Sequence, residues 1–128
     1  MARHILLDTN ALIALSDPAH KLFRLAESKI REGANASTCS IAWHEYMRGP
    51  LLNEDRERAL RVVQSRILPL ERKDAETAAR LYNMTGRKRG STADCLIAAV
   101  AMNHDTDLLT GNIEDFRPFL AMGLQLIS

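Results

Sequence analysis

Short apolar runs alternate along the chain with stretches of helical periodicity. Ile5–Leu7 is a run of three apolar residues without polar alternation, which is typical of a strand buried on both faces. The other strands are predicted at residues 36–39, 67–70, 108–109 and 124–127. Pro69, in the third of the five predicted strands, lacks the N–H that a central strand needs, so this strand is expected at an edge of the sheet.

Helices are predicted between these strands. Leu22, Ala26 and Ile30 recur at helical spacing, with charged residues on the other faces. Strands that alternate with helices favour an α/β sandwich with a mainly parallel sheet. Further helices are predicted at residues 11–15 and 41–47, after Asn53, from Lys73 or Asp74 to before Gly86, at 91–102 and from Asp115.

The helix predicted at residues 91–102 is apolar almost all round after its first turn, so we expect it to be buried. Asp94 is the lone charge in it. Near the amino end of a helix a carboxylate interacts favourably with the helix dipole, which is one interpretation of Asp94. The other is a chemical role, and it depends on acids elsewhere in the chain.

Length and composition narrow the class of protein. A chain of 128 residues predicts one domain, residues 1–128, and a hydrophobic content of 46% is ordinary for a globular protein. No apolar run approaches the roughly 20 residues of a membrane span, and the amino terminus lacks an export pattern, so we expect a cytoplasmic protein without membrane contact. Cys39 and Cys95 form no CxxC pair and are expected to be unlinked core residues.

Four acids occupy comparable places. Asp8 follows the first predicted strand, Glu45 lies in the helix after the second, Asp94 opens the buried helix, and Asp115 follows the fourth strand. Taken alone, Asp8 or Asn10 is equally well explained as the cap of the next helix. Ligands of open α/β sheets collect at the carboxyl ends of the strands, so acids at several such turns favour a shared site.

Carboxylates gathered in one cleft repel one another unless a cation is bound among them. All-oxygen ligands select Mg²⁺ or Mn²⁺ over zinc. The four histidines show no paired ligand spacing and are interpreted as structural or surface residues. A carboxylate-held metal suits phosphoryl chemistry by metal-activated water, and the chain shows neither a nucleophile triad nor a GxxxxGK[ST] loop.

Four segments resemble, in order and separation, the motifs of the PIN domain. They are Asp8–Asn10 after an apolar strand, Glu45 on a helix, residues 94–99 and residues 110–116. Size and motif layout are similar in particular to the VapC-type ribonuclease toxins of prokaryotic toxin-antitoxin pairs. The resemblance implies a three-layer sandwich with a parallel sheet of about five strands and helices on both faces. It also implies a Mg²⁺- or Mn²⁺-dependent endoribonuclease.

The resemblance also implies roles for single residues. Asp8 and Asp94 match the acids that hold the metal, and Glu45 matches the third acid, which binds metal or orients the attacking water. The fourth position matches Asn112 or Asp115; we expect Asp115 to be the acid and Asn112 a supporting neutral group. The positions that usually brace the site, or that serve only as turn and cap residues, are Thr9, Asn10 and Thr110.

Three partners follow from the same resemblance. Arg87, Lys88 and Arg89 lead into the buried helix and are expected to draw RNA phosphates towards the acids, as is Arg48, one helical turn beyond Glu45. The toxins are usually homodimers. A cognate antitoxin blocks their cleft, often with an Arg or Lys that reaches the acids.

Other functions stay open. One is a metal-dependent phosphatase of small phosphoesters, although a haloacid-dehalogenase-like enzyme would place a second Asp where Asn10 stands. Another is a non-catalytic PIN-like binding module, which is disfavoured because no acid of the set is lost. A housekeeping nuclease is the alternative to a toxin, and the compact chain without an added RNA-binding module favours the toxin.

Overall fold

A five-stranded parallel sheet forms the centre of the protein. The structure, a computed structural model, describes residues 3–127. The strand order is β3-β2-β1-β4-β5, and each neighbouring pair is parallel, so the predicted α/β class and the edge position of β3 are confirmed. The strands are β1 (Ile5–Leu7), β2 (Ala36–Cys39), β3 (Ile67–Leu68), β4 (Asp107–Leu109) and β5 (Leu126–Ile127).

Helices connect the strands. A 3₁₀ helix, Arg117–Met122, leads towards β5. None of the helices described within residues 3–127 has the length and apolarity of a membrane span. The α-helices are α1 (Thr9–Ala14), α2 (Lys21–Arg31), α3 (Ser40–Arg48), α4 (Asn53–Val63), α5 (Arg72–Met84), α6 (Thr92–Asn103) and α7 (Ile113–Phe116).

The core lies on both faces of the sheet. All residues of β1 and β2 are buried, which requires cover above and below these strands, and this is the three-layer sandwich of a PIN-like fold. The helix α6 is buried along its length after the first turn, as its apolar sequence predicts, and it packs along α5. Cys39 and Cys95 are buried and unlinked, and burial raises the pKa of the Cys39 thiol to about 11.

Two predicted strands are longer than the observed ones. Pairing of β3 ends at Leu68, before Pro69, because proline has no N–H to continue the ladder. The last strand begins at Leu126 rather than Leu124, whose backbone N–H donates to Phe119 O (3.2 Å) and whose side chain is buried in the core. Both corrections concern strand ends, where backbone bonds and not hydrophobicity decide the boundary.

The carboxyl ends of the parallel strands meet at one edge of the sheet. The register pairs Leu7 of β1 with Leu109 of β4, so Asp8 and Thr110 emerge side by side. The chain enters α1 after β1, α3 after β2 and, through a short turn, α7 after β4. This edge is where the predicted acids converge.

Candidate active site

Asp8 is the best anchored of the predicted acids. It lies directly after β1 and is 4% exposed. Its backbone N–H donates to Leu109 O (3.0 Å), Oδ1 accepts the N–H of Thr9 (2.8 Å) and Oδ2 accepts the hydroxyl of Thr110 (2.7 Å). The capping interpretation is therefore correct, since Asp8 is the N-cap of α1, yet the same carboxylate also lies at the acidic edge.

Glu45 reaches this edge from α3, which packs against α1. Its Oε1 accepts the hydroxyl of Thr9 (2.7 Å). Thr9 thus joins two acids, donating its N–H to Asp8 and its hydroxyl to Glu45. One Glu45 oxygen is fixed by this bond, and Oε2 is left for another partner.

Asp94, in the first turn of α6, is electrostatically coupled to the other predicted acids. Burial first, and then the charges of Asp115, Asp8 and Glu45, raise the pKa of its carboxyl to about 6, against a lowering by Lys88. The pKa of Asp8 is also raised, by burial first and then by Glu45 and Asp115, although its hydrogen bonds act in the opposite direction. Mutual repulsion of this kind indicates that the four carboxyls face the same edge of the sheet.

The donor chemistry of this cluster fits a hard divalent cation. Four carboxylates offer only oxygen ligands, and a divalent charge would relieve the repulsion that raises the pKa of Asp94. Within residues 3–127, however, no three Asp, Glu, His or Cys side chains stand close enough together to form a ready-made metal site. The carboxylates would therefore have to draw together around an ion, and their roles as ligands stay a prediction.

The predicted supporting residues hold the turns of the site. Asn10 Oδ1 accepts the N–H of Gly111 (2.8 Å) and so ties α1 to the turn after β4. The Asn112 N–H donates to the Thr110 hydroxyl oxygen (3.0 Å), which itself donates to Asp8. Of the two candidates for the fourth position, Asp115 is the one whose charge acts on Asp8 and Asp94, whereas Asn112 contributes through its backbone.

Basic residues border the acids. Lys88 Nζ lies 4.0 Å from Asp115 Oδ1, and the charge of Lys88 lowers the pKa of Asp94. The Arg87 guanidinium lies over the ring of Tyr82, 5.1 Å from its centroid. Arg89, in the same turn, and Arg48, at the end of α3, are both exposed. The predicted basic segment therefore adjoins the acidic cluster through Lys88.

A groove beside Glu45 was not predicted from the sequence. A cavity of about 300 Å³ lies beside Glu45, with Ile13, Tyr46, Pro50 and Leu51 among its walls. Ile13 is 58% exposed although it is a large apolar residue in a helix. The signal in the sequence is the Gly49-Pro50 break that ends α3, since both residues line this groove.

Comparison with known proteins places this geometry in a family. A family model described as PIN domain matches residues 5–117. No curated protein matches the sequence. The crystal structure of FitAcB from Neisseria gonorrhoeae is similar to the chain with a TM-score of 0.73 and 27% sequence identity, covering 97% of this chain and 96% of that one.

Two further solved structures are similar over nearly the whole chain. A toxin-antitoxin complex from Klebsiella pneumoniae matches with a TM-score of 0.69 and 25% identity, covering 97% of this chain and 96% of that one. VapBC2 from Rickettsia felis, bound to a DNA fragment from its promoter, matches with a TM-score of 0.70 and covers 96% of each chain. At 19% identity the last of these supports the fold alone.

Proposed function

The chain belongs to the PIN domain family, and from this premise we propose that it is the nuclease toxin of a toxin-antitoxin pair, a Mg²⁺- or Mn²⁺-dependent endoribonuclease. The observation that carries the proposal is the convergence of four carboxyls from distant parts of the chain: Thr9 bonds to both Asp8 and Glu45, and the charges of Asp115, Asp8 and Glu45 add to the effect of burial on the pKa of Asp94. A fold has no structural need for such repulsion, so a cluster of this kind indicates a site.

In the proposed mechanism the four acids have different roles. Asp8, Asp94 and Asp115 would hold the metal ion, which when bound polarises the phosphodiester and makes a water molecule a better nucleophile. Glu45 orients the attacking water and takes its proton at Oε2, since Oε1 is occupied by Thr9. Thr110 and the Thr9 N–H keep the Asp8 carboxylate in place.

RNA is the substrate that we propose, and basic side chains would position it. Lys88 borders the acids directly, and Arg87 and Arg89 flank it in the turn before α6. Together with Arg48 they place positive charge next to a negative cluster, which is the distribution that a polyanion approaching a carboxylate site requires. The antitoxin is proposed to cover the groove beside Glu45, where the exposed Ile13 offers an apolar contact.

This assignment is supported by solved relatives, one of which is a toxin-antitoxin complex at 25% identity. A small reading frame next to the gene, encoding a DNA-binding protein that binds this chain, would support the toxin role. If no such reading frame lies next to the gene, the chain would instead be assigned to RNA processing. The homodimer and the cytoplasmic location stay predictions.

The test of the reaction compares substrates with purified protein and Mn²⁺. We expect a labelled structured RNA to be cut, an aryl phosphate to be left intact, and Asp8→Asn and Glu45→Gln to lower the rate of RNA cleavage by at least about 100-fold. Turnover of the aryl phosphate alone would replace the nuclease with the phosphatase. Absence of both activities and of metal binding would favour the inert binding module.

Metal binding is expected to depend on pH. Because the pKa of Asp94 is raised to about 6, a proton competes with the ion below that pH. The affinity for Mn²⁺, measured by isothermal titration calorimetry, should fall about tenfold between about pH 7.5 and about pH 5 from this group alone. At about pH 6 binding should release protons, which buffers of different ionisation enthalpy reveal. An affinity that is constant over this range would contradict Asp94 as a ligand.

A further inference from the structure

Another cavity, which has polar side chains among its walls, lies at the opposite edge of the sheet, where β1 to β4 begin. Its volume is about 280 Å³, and its walls include two imidazoles (His4 and His104), one guanidinium (Arg66) and two hydroxyl residues (Ser37 and Thr106). No carboxylate of the described residues, 3–127, lines it. The metal-dependent chemistry proposed above uses none of these residues.

Arg66 supplies a fixed positive charge to this cavity. Its Nε and Nη2 donate to Ala36 O (3.2 and 3.0 Å), and Nη1 donates to Gln64 Oε1 (2.7 Å). A guanidinium has five N–H groups, so one N–H on each terminal nitrogen is left for a ligand. Among residues 3–127, Arg66 forms no salt bridge.

The turn directly before Arg66 is strained. Gln64 and Ser65 both adopt positive φ angles, 51° and 58°, between α4 and β3. Left-handed conformations of non-glycine residues cost about 1 kcal/mol or more each and tend to persist at functional sites. Gln64 also accepts the Arg66 bond, so the strained turn both places the guanidinium and holds it.

The two imidazoles offer complementary groups. His4 Nδ1 accepts the Asn35 N–H (3.0 Å), so the neutral ring carries its proton on Nε2 and has no free lone pair for a metal ion. His104 Nδ1 lies 3.0 Å from Val100 O, and because a carbonyl only accepts, Nδ1 carries the proton and Nε2 has the lone pair. His4 is thus a donor, and neutral His104 is an acceptor.

The acids closest in sequence to the cavity residue Thr106 do not neutralise the charge of Arg66. Asp105 and Asp107, on either side of Thr106, are paired with Arg3 at 3.1 and 2.5 Å. The cavity therefore keeps the positive charge of Arg66, the donor of His4 and the acceptor of His104. An oxyanion that still carries a hydroxyl satisfies all three, because its charged oxygens accept from Arg66 and His4 while its hydroxyl donates to His104.

We propose that this cavity is a binding site for inorganic hydrogen phosphate, which keeps a hydroxyl at neutral pH, whereas the phosphate group of a monoester is then largely unprotonated. Sulfate has the same size and shape but carries no proton at neutral pH, so it cannot donate to His104 Nε2. The site should therefore prefer phosphate to sulfate. Because it uses the amino ends of the strands, it is independent of the acidic edge and of the nuclease proposal.

Two measurements test the site on the whole protein. Inorganic phosphate, adenosine monophosphate and sulfate are titrated at equal ionic strength, with calorimetry for affinity and ¹⁵N spectra for the imidazole nitrogens. We expect phosphate to shift the Nε2 signals of His4 and His104, and to bind about tenfold or more tightly than sulfate. Adenosine monophosphate, whose phosphate group is largely unprotonated at neutral pH, should bind more weakly than inorganic phosphate, and tighter binding of the ester would overturn the requirement for a hydroxyl.

Variants locate the binding. Arg66→Met should weaken phosphate binding about tenfold or more, whereas Lys88→Ala, at the other edge, should not change it. The ¹⁵N shifts of the wild-type protein give the same answer if Arg66→Met fails to fold. Phosphate that leaves both Nε2 signals unchanged, or that loses affinity only in Lys88→Ala, would overturn the proposal. Equal affinity for sulfate would overturn the choice of a protonated oxyanion.

Discussion

Asp94→Asn is expected to abolish RNA cleavage and, in the metal-free protein, to raise the melting temperature. The loss follows because the amide is a neutral and weaker metal ligand, and we expect at least a 100-fold lower rate, roughly the loss of one essential ligand. The gain follows because the fold disfavours the charged form of Asp94, whose pKa is raised to about 6 by burial and by Asp115, Asp8 and Glu45. Activity and stability thus oppose each other at this residue.

The sign of the pH dependence follows from linkage. Between the ordinary pKa of an Asp and about 6, the folded protein binds more protons at Asp94 than the unfolded chain does, so this group destabilises the fold as the pH rises through 6. Asp94 is partly exposed, and after allowance for solvent screening the neutral amide should add about 1 kcal/mol at neutral pH. Below about pH 5, the advantage of the variant should shrink because Asp94 is then protonated in the wild type.

Thermal denaturation with EDTA, followed by circular dichroism, measures the change, and a parallel assay with Mn²⁺ measures cleavage. Glu114→Gln is the matched control, since Glu114 is an exposed acid next to Asp115 whose one salt bridge within residues 3–127 is to Arg117 on the surface. It should change neither quantity appreciably. An Asp94→Asn protein that melts at a lower temperature at neutral pH would show that charge repulsion does not dominate there.

Much of the acidic site is predictable from the sequence because a parallel sheet brings the residues that follow its strands to one edge. Three apolar residues in Ile5–Leu7 indicate a buried parallel strand, and parallel strands end at a common edge. The first residue after such a strand is at that edge wherever its exact end lies. The position of Asp8 is therefore robust to errors of one or two residues in the predicted elements.

The bonds that hold the site depend on sheet register and helix packing, which a single sequence does not determine. Thr110 meets Asp8 because Leu7 pairs with Leu109, and Thr9 meets Glu45 because α1 packs on α3. A shift of one residue in either contact would separate these pairs. The sequence thus identifies the acids, while the tertiary structure decides which hydroxyl orients each of them.

The cavity at the opposite edge of the sheet was harder to predict, because it too depends on the tertiary structure. His4, Arg66 and His104 are each isolated in the sequence, and none belongs to a recognisable motif. The two histidines were interpreted as structural or surface residues, and each does make a bond to backbone. Only the common starting edge of four parallel strands brings them to one cavity.

Asp74→Ala is expected to be the most destabilising of the changes considered, although Asp74 lies outside both sites. Its side chain is completely buried, with Oδ2 accepting the Glu71 N–H (2.9 Å) and Oδ1 accepting the Asn103 side-chain N–H (2.8 Å). Alanine would remove the capping box of α5 and leave the Asn103 amide short of a partner. We expect a loss of about 2 to 4 kcal/mol in the free energy of unfolding, measured by urea denaturation.

A surface ion pair on the same helix provides the control for Asp74. Glu76→Ala, on the same helix, removes only an exposed pair with Arg72 and should cost less than about 0.5 kcal/mol. In a double-mutant cycle, Asp74→Ala and Asn103→Ala should show a coupling energy of about 1 kcal/mol, since they share one buried bond. Additive losses would mean that Asp74 acts only within the capping box of α5. Coupled losses would show that it also fastens the end of α6, whose first turn carries Asp94.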